Sequence, residues 1–293
     1  ANVVIQRMDF GDEDSFEIID DSYRYGTGLW QGYAADPDTL YSLQESVLPS
    51  SLPQLARYGD RVVAVFQATA DGRSAGDSTV LMYSVLEDGF WSEPQPVCES
   101  PTADLTAQLC EADGELYVIW QKVSEPVGAE TGSELLQASF AASEICVAAW
   151  DDEQSRFDEP VWLTDDRQLD MLPTLASDGS QLYAVWLSCP ENDVFAAGRS
   201  AQILYAVFDG RTWSQPMLFC EPGVNQYVQE LAARIDGGRL SVAYTALDMQ
   251  TGVGGAYAGT KDSVQQIGVD AAALRCDNGT YYWVGENRLR SLA

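Results

Sequence analysis

The stretch DGSQLYAVWL (178–187), followed after a gap by ILYAVFDGRTWSQPMLF (203–219), decides the fold because the chain writes it three times. Near copies stand at GDRVVAVFQ (59–67) with VLMYSVLEDGFWSEPQPV (80–97), and at DGELYVIWQ (113–121) with ICVAAWDDEQSRFDEPVWL (145–163). A self-similar unit recurring at tens of residues marks a repeat architecture. Within each copy, the pairing of Gly with Asp supplies the positive φ of a tight hairpin turn, as at Asp113-Gly114 and Asp178-Gly179. A strand such as LPQLARY (52–58) or LPTLASD (172–178) precedes that turn. The strand after it (RVVAVF, ELYVIW, QLYAVW or RLSVAY) is apolar with little alternation, so it is expected to be buried on both faces. A third strand ends in a second turn, at Asp88-Gly89 or Asp209-Gly210, and the fourth carries a proline in FWSEPQPV, RFDEPVWL and TWSQPMLF. Proline cannot donate to a ladder, so the fourth strand is an outer edge.

Four antiparallel strands per unit, with no evident helix, predict an all-β fold, a β-propeller of four-stranded blades. Units begin near Pro49, Pro101, Arg167 and Val224, and a reduced fifth runs from Ala271, giving five blades, or six if residues 1–37 supply one. Those 37 residues are read as an extension or partial blade, and 38–293 as the propeller. Residues 38–47 have the place of a fourth strand and are expected to close the ring against the C-terminal blade. The ends of the chain, with a terminal NRLRSLA that stops mid-blade, suggest a monomeric domain excised from a larger protein.

Composition narrows the function classes. Apolar residues make up 46% and aromatics 11%, ample for a core. Forty-five acids against sixteen bases, only two of them lysines, give a net charge of −29, which disfavours nucleic acid as a partner. No apolar run is long enough for a membrane helix, so no membrane insertion is expected, and no signal peptide is visible at the N-terminus. Histidine is absent, which removes Ser-His-Asp and Cys-His catalysis. The six cysteines, at 98, 110, 146, 189, 220 and 276, include no CxxC pair and are expected to be free thiols. Acidic runs at 12–14, 20–21, 151–152 and 165–166 lack the spacing of an EF-hand and read as turn acids. No metal site and no cofactor are therefore predicted, with calcium the one alternative left open.

Loop lengths point to a face. Turns between strands one and two, and three and four, are mostly short, whereas those between two and three are long in all four complete units, and strand alternation brings the long ones to one face. Long loops on a rigid scaffold are where binding usually resides. Residues bordering that face are Gln67, Gln121 and Trp186 after the second strands, and Asp104, Asp170, Tyr227 and Glu230 where the chain enters the first strands. Carboxylates and amides beside an aromatic suit a carbohydrate. Trp186 and its counterparts Phe66, Trp120 and Tyr244 also suit packing between blades.

The pattern Tyr-x-x-x-Asp-Gly-x-x-Trp-Ser-x-Pro, at Tyr205–Pro216 and altered at Tyr83–Pro94, resembles the sialidase-like, Asp-box-related propellers of bacterial secreted and surface proteins. The resemblance implies the propeller and an extracellular or cell-surface setting. A sialidase Asp-box reads Ser-x-Asp-x-Gly-x-x-Trp, and here the turn is one residue shorter and lacks the leading serine. The resemblance would also imply an arginine triad and a tyrosine nucleophile, and the fourteen arginines offer no such placement. The expectation is therefore a non-catalytic module binding glycan or protein through the long-loop face. The alternative is a glycoside hydrolase using paired carboxylates near the axis, drawn from Asp104, Asp170 and Glu230, which would stand about 5 to 9 Å apart.

Overall fold

The computed structural model describes residues 3–6, 40–44, 53–128, 132–194, 201–277, 279–286 and 288–293. Five antiparallel sheets follow one another along the chain as the blades of a propeller. In the first, Gln54–Tyr58, Arg61–Thr69 and Thr79–Glu87 are joined by an outer strand in two pieces, Phe90–Trp91 and Gln95–Pro96. The second repeats this with Asp104–Ala112, Glu115–Val123, Ser143–Asp151 and the pieces Arg156–Phe157 and Val161–Trp162. The third and fourth each have four strands, beginning at Leu169–Ser177 and Gln226–Asp236. The fifth has three, Ala271–Asp277, Thr280–Gly285 and Arg288–Leu292. Leu40–Gln44, expected to close the ring, instead pairs with Val3–Gln6 in a separate two-stranded ribbon. Most of residues 1–37 lie outside the described residues.

The repeated letters act locally. At Asp113-Gly114 both residues have positive φ (52° and 77°), which suits the twist of a two-residue hairpin. The serine of Trp-Ser-x-Pro satisfies the backbone where the outer strand departs from the ladder. Ser92 Oγ accepts the Val85 N–H and Ser214 Oγ the Val207 N–H, each at 3.0 Å. Asp151, Asp178, Asp209 and Asp248 each accept two successive backbone N–H groups in their turns, and these bonds hold their carboxyls below the usual range. Four of the acids are thus committed to turn geometry.

Second strands are buried on both faces, as their composition requires. Their outward side chains form cores between blades. Trp120 and Cys146 pack with Val63, Val65 and Leu81 of the first blade, and Trp186 packs with Ile119 and Ile145 of the second. Burying a side chain such as Phe66 or Ile119 stabilises the ring by about 1.5–3 kcal/mol. All six cysteines are free, and burial pushes the thiols of Cys110 and Cys220 up to about 11 and that of Cys189 to about 12, which keeps them protonated and inert.

The absence of a helix is corrected. Gly132–Ala141, inside the long loop of the second blade, is α-helical. Leu135 and Ala138 pack on a small satellite core of Ala103, Val123, Val127 and Ala142. No helix among the described residues is long and apolar enough to cross a membrane.

Candidate functional site

The described parts of the long connections, 70–78, 124–128, 132–142, 190–194 and 249–253, lie at the end of the blades where the inner strands begin. Two of them are clasped together by Asp77, which is almost fully buried. Its carboxylate accepts the N–H groups of Val127 and Gly128, each at 3.1 Å, and the Ser74 hydroxyl at 2.6 Å. Burial opposes ionisation of Asp77, but these bonds outweigh it and hold the carboxyl below its ordinary range. The loops of the first two blades therefore form one built platform. Nothing in the Asp77 sequence context announces this, because its backbone partners Val127 and Gly128 lie about fifty residues away.

The inner strands share an irregularity: the register shifts just after the strand begins at Asp104/Ala107, Met171/Thr174, Val228/Glu230 and Ala272/Arg275. Such bulges re-aim side chains and occur beside functional sites. Beside these shifts Thr106 and Arg275 are exposed and Glu230 half-buried, while Asp104 and Asp170 are buried.

Asp104 is 1% exposed, and three donors meet it: Lys122 Nζ at 2.7 Å, Trp120 Nε1 at 3.0 Å and Leu81 N at 3.3 Å. It seals the boundary between the first two blades. Gln67 leans on the same point, donating to the Asp104 carbonyl at 3.3 Å. Gln121 donates to Ser143 Oγ at 2.6 Å, and Ser143 in turn donates to the Asp170 carbonyl at 3.0 Å, so these two candidates are brought together. Trp186 is corrected: at 0% exposure it lies in the core and offers no face to a sugar, as do Phe66, Trp120 and Tyr244, all buried. Tyr227 is half-buried on the fourth inner strand, across the ladder from Leu247.

Asp170 is 0% exposed and neither of its oxygens has a hydrogen-bond partner of full geometry. Burial pushes its carboxyl up to about 7; the adjacent Ser188 and Thr164 hydroxyls oppose the shift, while Asp166 and Glu144 add to it. Glu144, also 0% exposed, is raised mainly by burial too. Its Oε1 accepts the Arg167 N–H at 3.0 Å and its Oε2 has no partner. One carboxylate oxygen from each of Glu144, Asp166 and Asp170 lies within 4.8 Å of the others.

Glu230 behaves differently from the other two axial acids. Its side chain is 26% exposed. Oε2 accepts Thr245 Oγ1 and the Leu274 N–H, both at 2.9 Å, and Oε1 faces Arg275 Nη1 at 3.5 Å. The carboxylate is fixed on one side and open on the other. Arg275 escapes a reading of the sequence, since nothing in LRCDNGT marks which strand end it borders.

No protein-family model and no curated protein sequence matches this chain. Among solved structures it is similar to an α-L-arabinanase of Penicillium chrysogenum complexed with arabinobiose, with 11% identity and a TM-score of 0.56, over 85% of this chain and 79% of that one. It is also similar to an α-L-arabinofuranosidase of Fusarium graminearum with arabinobiose, with 11% identity and a TM-score of 0.55, over 82% and 76% of the two chains. At these identities the likeness shows the fold, a five-bladed propeller of the kind used by glycoside hydrolases. It overturns the expectation of a non-catalytic module. That expectation rested on the asymmetry of loop lengths together with the missing catalytic pattern, whereas these similar propellers are an α-L-arabinanase and an α-L-arabinofuranosidase.

Proposed function

We propose that the chain is a glycoside hydrolase acting on arabinose-containing glycan, with substrate held on the long-loop face and Glu230 at the reacting bond. The observation that carries this reading is the posture of Glu230. Among the three axial acids Asp104 and Asp170 are sealed from solvent, and Glu230 alone presents an edge to the open face. Two hydrogen bonds to one oxygen and the neighbouring guanidinium beside the other hold its carboxyl in place. A carboxylate fixed on one side and open on the other is placed to serve as nucleophile or as base toward a water, the two roles that the second carboxylate plays in glycoside hydrolysis. The fold shared with arabinobiose-bound structures supports the substrate class. The Asp-Gly-x-x-Trp turn that resembles an Asp-box lies at the outer edge of its blade and bears on the scaffold, not on activity.

The test is hydrolysis of linear arabinan, arabinobiose and an aryl arabinofuranoside by the purified chain. Glu230→Gln keeps the shape and the Thr245 contact, and it is expected to lower turnover by about 10²–10⁴-fold, the usual worth of a positioned acid or base. A folded wild-type chain inert on all three substrates, or full activity in Glu230→Gln, would sink the reading.

A further inference from the structure

The boundary between the second and third blades contains a cluster of acids that the proposed activity does not use. Glu144 begins the third strand of the second blade, Asp166 lies in the connection that crosses over it, and Asp170 sits at the start of the next inner strand. Two of the three are 0% exposed, and among the described residues three of their buried oxygens, Glu144 Oε2 and both of Asp170, have no hydrogen-bond partner of full geometry. Among the described residues, no lysine or arginine forms an ion pair with any member. Lys122 stands across the ladder from Glu144, but its ammonium is spent on Asp104 at 2.7 Å. The Arg167 side chain points outward to Glu125 at 3.7 Å. Among the described residues the partners of Asp166 are the amide groups of Gln168. Buried carboxylates are too costly to leave charged without compensation, so these either take up protons or share a bound cation.

The repeat itself supplies the control. Asp104 and Asp170 occupy the same register position: each is paired across the ladder with the residue two places beyond the buried tryptophan, Lys122 in one blade and Ser188 in the next. Where the first copy has an ammonium, the second has a hydroxyl and an additional buried acid.

We infer that Glu144, Asp166 and Asp170, assisted by the hydroxyls of Thr164 and Ser188, form a binding site for a single calcium ion that takes the place Lys122 fills in the preceding blade. The donor set is all oxygen, which selects a hard cation. Ligand oxygens at about 2.3–2.6 Å from a common calcium stand up to about 5 Å apart, and the cluster oxygens lie within 4.8 Å of one another. Magnesium, at about 2.0–2.1 Å with near-ideal octahedral geometry, suits the spread less well. The ion would pin the crossing connection 164–168 to the strand beneath it.

The experiment uses the full chain after chelator treatment. Calcium binding is followed by calorimetric titration at constant ionic strength, and thermal unfolding is measured with calcium, magnesium, or matched sodium chloride. The expected result is one calcium per chain and a rise in Tm that neither other salt reproduces, since a ligand of the native state alone stabilises it. Asp170→Asn is expected to abolish stoichiometric binding. Should that variant not fold, Ser188→Lys provides the second reading. An ammonium delivered as in the preceding blade is expected to raise the Tm of the chelator-treated chain and remove its calcium response. A wild-type chain whose Tm follows ionic strength alone, preferential magnesium binding, or undiminished calcium stoichiometry in folded Asp170→Asn or Ser188→Lys would each overturn the inference.

Discussion

The first and second blades meet through a buried acid, and so do the second and third, yet the two boundaries neutralise it by different means. At the first, Asp104 receives an ammonium, an indole N–H and a backbone N–H. At the second, Asp170 stands at the same repeat position with Ser188 in place of the lysine, and among the described residues the Trp186 N–H has no partner. The backbone N–H that Asp104 accepts in one copy, from Leu81, is matched in the other by the Ile145 N–H, which goes to Thr164 Oγ1 at 2.9 Å. The difference teaches that the repeat conserves an acid's location without conserving its counter-charge, so equivalent residues in adjacent blades carry different chemistry.

Breaking the first boundary has the largest expected effect. Lys122→Met strands Asp104 in the core, and the loss expected for removing one partner of a buried pair is about 3–5 kcal/mol, read as a fall in the urea midpoint. Ser188→Ala, at the equivalent position, removes no counter-charge and is expected to cost far less. A smaller effect sharpens the contrast. Trp120→Phe and Trp186→Phe delete similar volume from similar cores, but only the first removes a bond to a carboxylate. Its destabilisation should exceed that of Trp186→Phe by about 1.5–3 kcal/mol. Equal costs would show that the indole bond to Asp104 contributes nothing. The smallest effect lies in the turn acids of the second, third and fourth blades. Asp151, Asp178, Asp209 and Asp248 have folded pKa values depressed below 3.8, so their contribution is present above that value and lost as pH falls through the folded one. Asp178→Asn should flatten the acid limb of a stability-against-pH curve slightly, leaving both interior boundaries untouched.

The architecture was legible in the sequence because turns and edges are written locally. Asp-Gly pairs fix hairpins, prolines exclude central strands, and unbroken apolar runs declare burial. The helix Gly132–Ala141 could have been found from Leu135, Ala138 and Ala142, whose spacing of three and four residues places them on one helical stripe. The site was less legible for a physical reason. Glu144 reads as the polar start of a strand and Asp166 as a turn acid, and their meeting with Asp170 depends on a connection folding back over a strand end. Positions 144, 166 and 170 have no spacing that the chain must repeat. Likewise Asp104 and Glu230 look alike as acids at strand starts, and only the partners drawn in by the fold separate a sealed structural carboxylate from an open one.

The inner strands meet the axis with edge N–H groups that have no ladder to join, and side chains of the preceding blade supply acceptors. Gln108 Oε1 takes the Leu175 N–H at 2.6 Å and the Thr174 hydroxyl at 2.7 Å, and Glu230 takes the Leu274 N–H at 2.9 Å. Each such tie is addressed to one neighbour only. A blade copied, deleted or moved would arrive beside a strand that lacks its acceptor, so the order of the blades cannot be shuffled without penalty.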